Sequence, residues 1–191
     1  MKTKAIALFV LIFVLPAVSP LLAGEWPSAT FTEVRAYAWP DDQNTTAVIM
    51  PDRSLKPGVI NKEGALLTAK EVQQLRAAVT GKHPEYPVAA CYLPHNAFVF
   101  YDADKKPVAS VELCFGCRGF RIQPKNAIRN LDWLSLAAIF DAHHLPMGSF
   151  QDLQSFKKDF IAVEVESSKA PRPLPGEPPA IPGLTAPTAP R

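Results

Sequence analysis

Two β-favouring runs, Ala97 to Tyr101 and Val108 to Cys114, flank the polar stretch Asp102-Ala103-Asp104-Lys105-Lys106-Pro107. Runs this short bury a face only by pairing, and a polar tip between them makes each the nearest partner of the other, so the spacing predicts an antiparallel hairpin. Asp102 and Asp104 are turn formers at that tip before they are a carboxylate pair. A tip centred on Asp104 and Lys105 sets Cys91 opposite Arg118 and Cys117 opposite Tyr92. Any neighbouring register still brings Cys91 beside Cys114-Phe115-Gly116-Cys117 at the open end of the hairpin.

The remaining patterns surround the hairpin with strands and helices. Alternation over Phe31 to Trp39, stopped by Pro40-Asp41-Asp42, predicts a strand. Thr46 to Met50, ended by Pro51, reads as a second strand, and Val88 to Tyr92, broken off by Pro94, as another β-favouring run. Thr68-Ala69-Lys70-Glu71 is a capping box, with Leu67 and Val72 placed to staple it. The helix it opens is expected over Ala69 to Thr80, with Val72, Leu75, Ala78 and Val79 inward and Gly81 as a left-handed cap. Asn130 precedes an apolar helical run, Leu131 to Phe140, that must stop before Pro146, and Ser149 is placed to cap a further helix through Phe160. Strands followed by helices, without an internal repeat, define an α+β fold for one domain.

The chain ends confine that domain. Lys2 and Lys4 precede an apolar stretch from Ala5 to Leu15, 11 residues long, against the roughly 20 needed to span a bilayer as a helix. Residues 1–23 therefore read as a signal peptide cleaved after Ala23, with an uncleaved N-terminal anchor as the alternative. Residues 171–191 hold eight of the 20 prolines and almost no large apolar side chains. They are expected to form an extended, disordered tail, a spacer or a proline-rich ligand for a protein partner. The folded part is then 24–170, with 16 basic and 17 acidic side chains. That balance excludes a strongly basic nucleic-acid binder, and the short leader excludes stable membrane insertion after processing. A soluble protein of an oxidising compartment, a bacterial periplasm or the exterior, is expected.

The chemistry sits in Cys91, His95, Cys114 and Cys117, spaced as C-x3-H followed by C-x2-C. Three thiolates and an imidazole make a tetrahedral set for Zn2+, or a soft site for Cu+. Along a straight strand Cys91 and His95 would lie about 13 Å apart, so Pro94 would have to bend the chain. A disulfide from Cys91 to Cys114 or Cys117, leaving one thiol over, competes with the metal in an exported chain. A redox pair within the C-x2-C is the third possibility, although that motif is not expected at a helix N-terminus, where such thiols are activated.

The block from Cys91 to Asp102, with Lys106-Pro107-Val108-Ala109, Cys114-Phe115-Gly116-Cys117 and the lead-in Val59-Ile60-Asn61-Lys62-Glu63-Gly64, resembles a set of uncharacterised exported bacterial proteins. The resemblance spans about residues 58–124. It implies a bacterial source and places Cys91, His95, Cys114 and Cys117 in one motif, without supplying a reaction. His143 and His144 fall at a helix end and His83 at a helix exit, where capping or solvent is their expected role. Asn44-Thr45-Thr46 is a glycosylation sequon only in a eukaryotic secretory route. Without a nucleophile elbow, phosphate loop or zinc-protease motif, the expected function is a binding or structural module with a metal-holding or cross-linked cluster. The alternative is a small thiol- or metal-dependent periplasmic enzyme or redox protein.

Overall fold

The computed structural model describes residues 26–41, 47–89 and 91–169; the leader and the proline-rich tail lie outside them. In chain order the elements are β1 (Glu33–Ala38), β2 (Ala65–Leu66), α1 (Ala69–Thr80), β3 (Asn96–Tyr101), β4 (Pro107–Cys114), β5 (Gly119–Gln123), α2 (Trp133–Ala142) and α3 (Leu153–Lys169). The strands form one antiparallel sheet in the order β2-β1-β3-β4-β5. With its three helices this is the single α+β domain expected.

The β3–β4 hairpin has the inferred register, with Asn96 opposite Leu113 and Phe98 opposite Val111, slipping by one residue at Tyr101 and Pro107. Asp102 builds its tip: the carboxylate accepts from the N–H of Asp104 and of Lys106, both at 2.9 Å. Strand alternation then sends two sets of side chains to opposite faces. Val34, Ala36, Phe98, Phe100, Val111 and Leu113 meet the helices in the main core, against Leu75 and Val79 of α1, Leu136 and Phe140 of α2 and Phe156 of α3. Tyr37, Ala97 and Val99 meet a second core supplied by Trp39, Val48 and Ile49, with Leu55 and Val59 beside them. Both faces are covered, so the central strands carry apolar residues on both parities.

Several elements depart from expectation for identifiable reasons. Thr46 lies outside the described residues, and the rest of the 46–50 run is a strap, not a strand. Ile49 makes one bridge, to Leu55, and the N–H groups of Val48 and Ile49 donate to the Glu112 carboxylate at 2.9 and 3.4 Å. The described residues of Val88–Tyr92 are likewise irregular. Both sides of β4 are already taken, by β3 and by β5, and the segment instead gives the Ala89 N–H to the Cys117 carbonyl at 3.1 Å. α1 has its predicted bounds and a complete capping box on Thr68 and Glu71, but Gly81 is extended, at φ −67°. The helix end is closed by the Gly81 N–H and the His83 ring, both on the Ala77 carbonyl. α2 starts at Trp133 behind an Asp132 cap, two residues later than the apolar run. α3 is capped by Asp152, whose carboxylate accepts from the Ser155 N–H at 2.7 Å, and not by Ser149. A left-handed glycine is needed at Gly64 (φ +69°), where a Cβ would come within 2.6 Å of the Tyr37 ring.

The two sheet edges are finished differently. Beyond β1, Ile60 donates its N–H to the Ala38 carbonyl, and Leu67 to Val34. Asn61 accepts from the Ala38 N–H at 3.0 Å and donates to the Ala36 carbonyl at 2.9 Å. Together with β2 these bonds use up that edge. At the other edge, among the described residues, the backbone of β5 bonds only to β4.

Candidate binding groove and the disulfide turn

The turn between β4 and β5 holds the predicted cysteines. Cys114 and Cys117 form a disulfide three residues apart, and both are buried. Between them Phe115 points into the main core, edge-on to Trp133, Phe140 and Phe156. Arg118 follows at φ 53°, a left-handed conformation unfavourable to a residue with a Cβ. Its guanidinium, only 6% exposed, lies 5.2 Å from the Phe160 ring centroid and 3.4 Å from the Asp159 carboxylate. The turn is thereby fastened to α3.

The chain on either side of Cys91 touches this turn, as the hairpin geometry predicts: Ala89 bonds to Cys117 and the Tyr92 ring lies against Gly119. Cys91 itself is a free, exposed thiol. His95 is buried, with its ring beside Gly148 and its Nε2 3.5 Å from the Asp41 carboxylate. The structure thus brings Cys114 and Cys117 together and leaves Cys91 and His95 apart from them as ligands. Among the described residues, no three histidine, cysteine, aspartate or glutamate side chains form a group able to hold a metal ion. The bridge that forms is the one within the C-x2-C, not the Cys91 bridge weighed from the sequence, because a tight turn brings its own two ends together.

Beneath the strap lies a polar group that sequence patterning did not single out. Glu112 is fully buried and directly opposite Arg121 on β5, with 3.6 Å between guanidinium and carboxylate. Arg121 also covers the Tyr92 ring, 5.4 Å from its centroid. Burial raises the Glu112 pKa, against the opposing pull of Arg121 and of the Val48 and Ile49 N–H groups. Burial likewise raises the Tyr92 phenol, with Glu112 adding to it. These groups fasten the strap to the sheet and fix Arg121 on the edge strand.

A groove is formed by two cavities that share lining residues, the smaller of them alongside β5. One, of about 690 Å³, lies between Trp26, the exit of α1 (residues 79–83) and residues 126–130. The other, of about 460 Å³, lies between Phe120–Gln123 and Lys125, Asn126 and Ile128. Asn126 and Ile128 line both. The formally charged side chains on the lining are Lys82, Arg121, Lys125 and Arg129, and no aspartate or glutamate joins them. The buried Trp26 indole N–H and the Asn126 amide nitrogen have no hydrogen-bond partner among the described residues. The groove escaped sequence reading because its parts lie far apart in the chain. The available signal was Lys125 and Arg129 in the stretch that follows Pro124.

No family model, curated protein or solved structure matches the chain. Among the described residues, no helix is long and apolar enough to cross a membrane.

Proposed function

We propose that this chain is an exported, non-enzymatic binding module that holds an anionic ligand in the groove along β5, the strand that follows the Cys114–Cys117 turn. One observation carries the proposal: every formally charged side chain on the groove is basic, in a segment with 16 basic and 17 acidic residues. A concave surface of one sign concentrates ligands of the other. The N-terminal leader pattern and the disulfide support export, in keeping with a periplasmic or secreted protein.

The test is binding of fluorescent poly-L-glutamate. Wild type is expected to bind at low ionic strength and to release the probe as salt rises. Lys125→Glu with Arg129→Glu should weaken binding at least tenfold with an unchanged thermal midpoint. Indifference of the wild type to polyanions would end the proposal.

A thiol-dependent enzyme has one observation in its favour, the exposed Cys91 beside the disulfide turn. It requires that Cys91→Ser abolish exchange with a small dithiol. For the binding module the same substitution leaves poly-L-glutamate affinity unchanged. Zn2+ or Cu+ on Cys91, His95, Cys114 and Cys117 would first require reduction of the Cys114–Cys117 bond. A free-thiol count with metal analysis on protein from its native compartment distinguishes that state.

A further inference from the structure

We infer that the groove's ligand is an extended acidic peptide that adds to β5 as a sixth strand; this rests on the anion-binding function proposed above. A sheet edge offers a row of unpaired N–H and C=O groups, the template for strand addition. The β1 edge is closed by β2, Asn61, Ile60 and Leu67. The β5 edge makes no backbone bond outside β4 among the described residues, and the groove opens along it.

The chemistry of the added strand follows from alternation along β5. Arg121 and Gln123 point to one side, and Phe120 and Ile122 to the other. Ile122 is buried in the main core and Phe120 packs partly against it. Residues directly opposite across a ladder share a side of the sheet. A partner strand therefore places acidic residues beside Arg121 and β-branched or aromatic ones beside Phe120 and Ile122. Lys125 lines the same cavity as β5 and Arg129 the adjoining one, available to carboxylates beyond the ladder. The same charges oppose pairing of two copies of this chain edge to edge, since Arg121 would meet like charge. Pro124 follows β5 directly and limits the template to about five residues, or roughly 17 Å of partner.

The experiment uses the full chain and the peptide acetyl-Glu-Val-Glu-Val-Glu-Val-amide, with two analogues N-methylated on alternate residues in the two possible phases. Only one phase removes N–H groups that face β5. The parent peptide should bind, one analogue should bind at least tenfold more weakly and the other nearly as well. Amide hydrogens of residues 119–123 should gain protection from exchange when the parent binds. Equal binding of both analogues and parent would overturn strand addition and leave the anion groove standing. Binding of polygalacturonate, lost in Lys125→Glu, without binding of the peptide would give the groove to an acidic glycan and also overturn strand addition. Failure of peptide, polygalacturonate and poly-L-glutamate alike would overturn both.

Discussion

Phe115 should matter more to stability than the disulfide that encloses it. The Cys114–Cys117 bond closes a loop only three residues apart in sequence, so the unfolded chain loses little freedom by keeping it. The chain-entropy relation gives about 2 kcal/mol for such a loop. The Phe115 ring is 2% exposed and meets Trp133, Phe140 and Phe156 with centroid separations of 5.7, 5.6 and 5.2 Å. Truncating a buried phenylalanine to alanine costs about 3–5 kcal/mol. Edge-to-face pairs add to what burial alone supplies, which places this site toward the upper end. Urea unfolding of wild type, Phe115→Ala and the Cys114→Ser/Cys117→Ser double variant measures the comparison directly. The expected losses are about 4–5 kcal/mol for the ring and about 2 kcal/mol for the bridge. Against a total of about 5–15 kcal/mol for a domain, the first could abolish folding, and Phe115→Leu then supplies a milder point on the same scale. A bridge-free variant less stable than Phe115→Ala would refute the reasoning and show that the covalent bond, not the ring, secures the turn.

Two further outcomes follow from single groups. Burial raises the folded-state pKa of Glu112, so its contribution to stability is fully present below the unfolded carboxylate pKa and is lost as pH rises through the folded one. Glu112→Gln should flatten that decline and match or exceed wild type at pH 7. A loss above about 3 kcal/mol there would mean that pairing with Arg121 outweighs the burial of charge. Thr68 accepts from the Glu71 N–H at 3.3 Å while Glu71 accepts from the Thr68 N–H at 2.7 Å; Thr68→Ala should cost about 1 kcal/mol in the same urea assay, and a silent substitution would show that packing of Leu75 and Val79 alone holds α1.

How much of this was legible in sequence depended on whether the signal was local. The β3–β4 hairpin and α1 announce themselves within a few residues, through the Asp102 tip and the Thr68 box, and both formed where expected. β5 was missed because Gly119-Phe120-Arg121-Ile122-Gln123 is short and opens on a glycine; it becomes a strand by pairing with β4, a tertiary cause. The reverse error at Val48 and Ile49 has the same origin. Their propensity favours a strand, yet their N–H groups are met by the Glu112 carboxylate, a side chain more than sixty positions away. Proximity of Cys91 to the C-x2-C could be inferred from the turn, whereas the direction of the His95 ring toward Asp41 and Gly148 depends on loops that no pattern marks.

The disulfide turn and the groove are connected through β5. An edge strand held by a single ladder belongs to the part of a domain that opens most readily, and an opened template would have to be reordered when a ligand arrives. Here the first residue of β5 follows directly on a bonded cysteine pair, a phenylalanine set into the core and an Arg118 fastened to α3. On the other face of the sheet, away from Phe115, Glu112 and Tyr92 orient Arg121. Each contact limits motion of the strand before any partner is present, and ordering completed in advance is not charged against affinity. The small loop closed by Cys114 and Cys117 contributes little to global stability for its type. Its larger effect is expected in binding: loosening the turn should weaken capture at β5 even where the folded state survives.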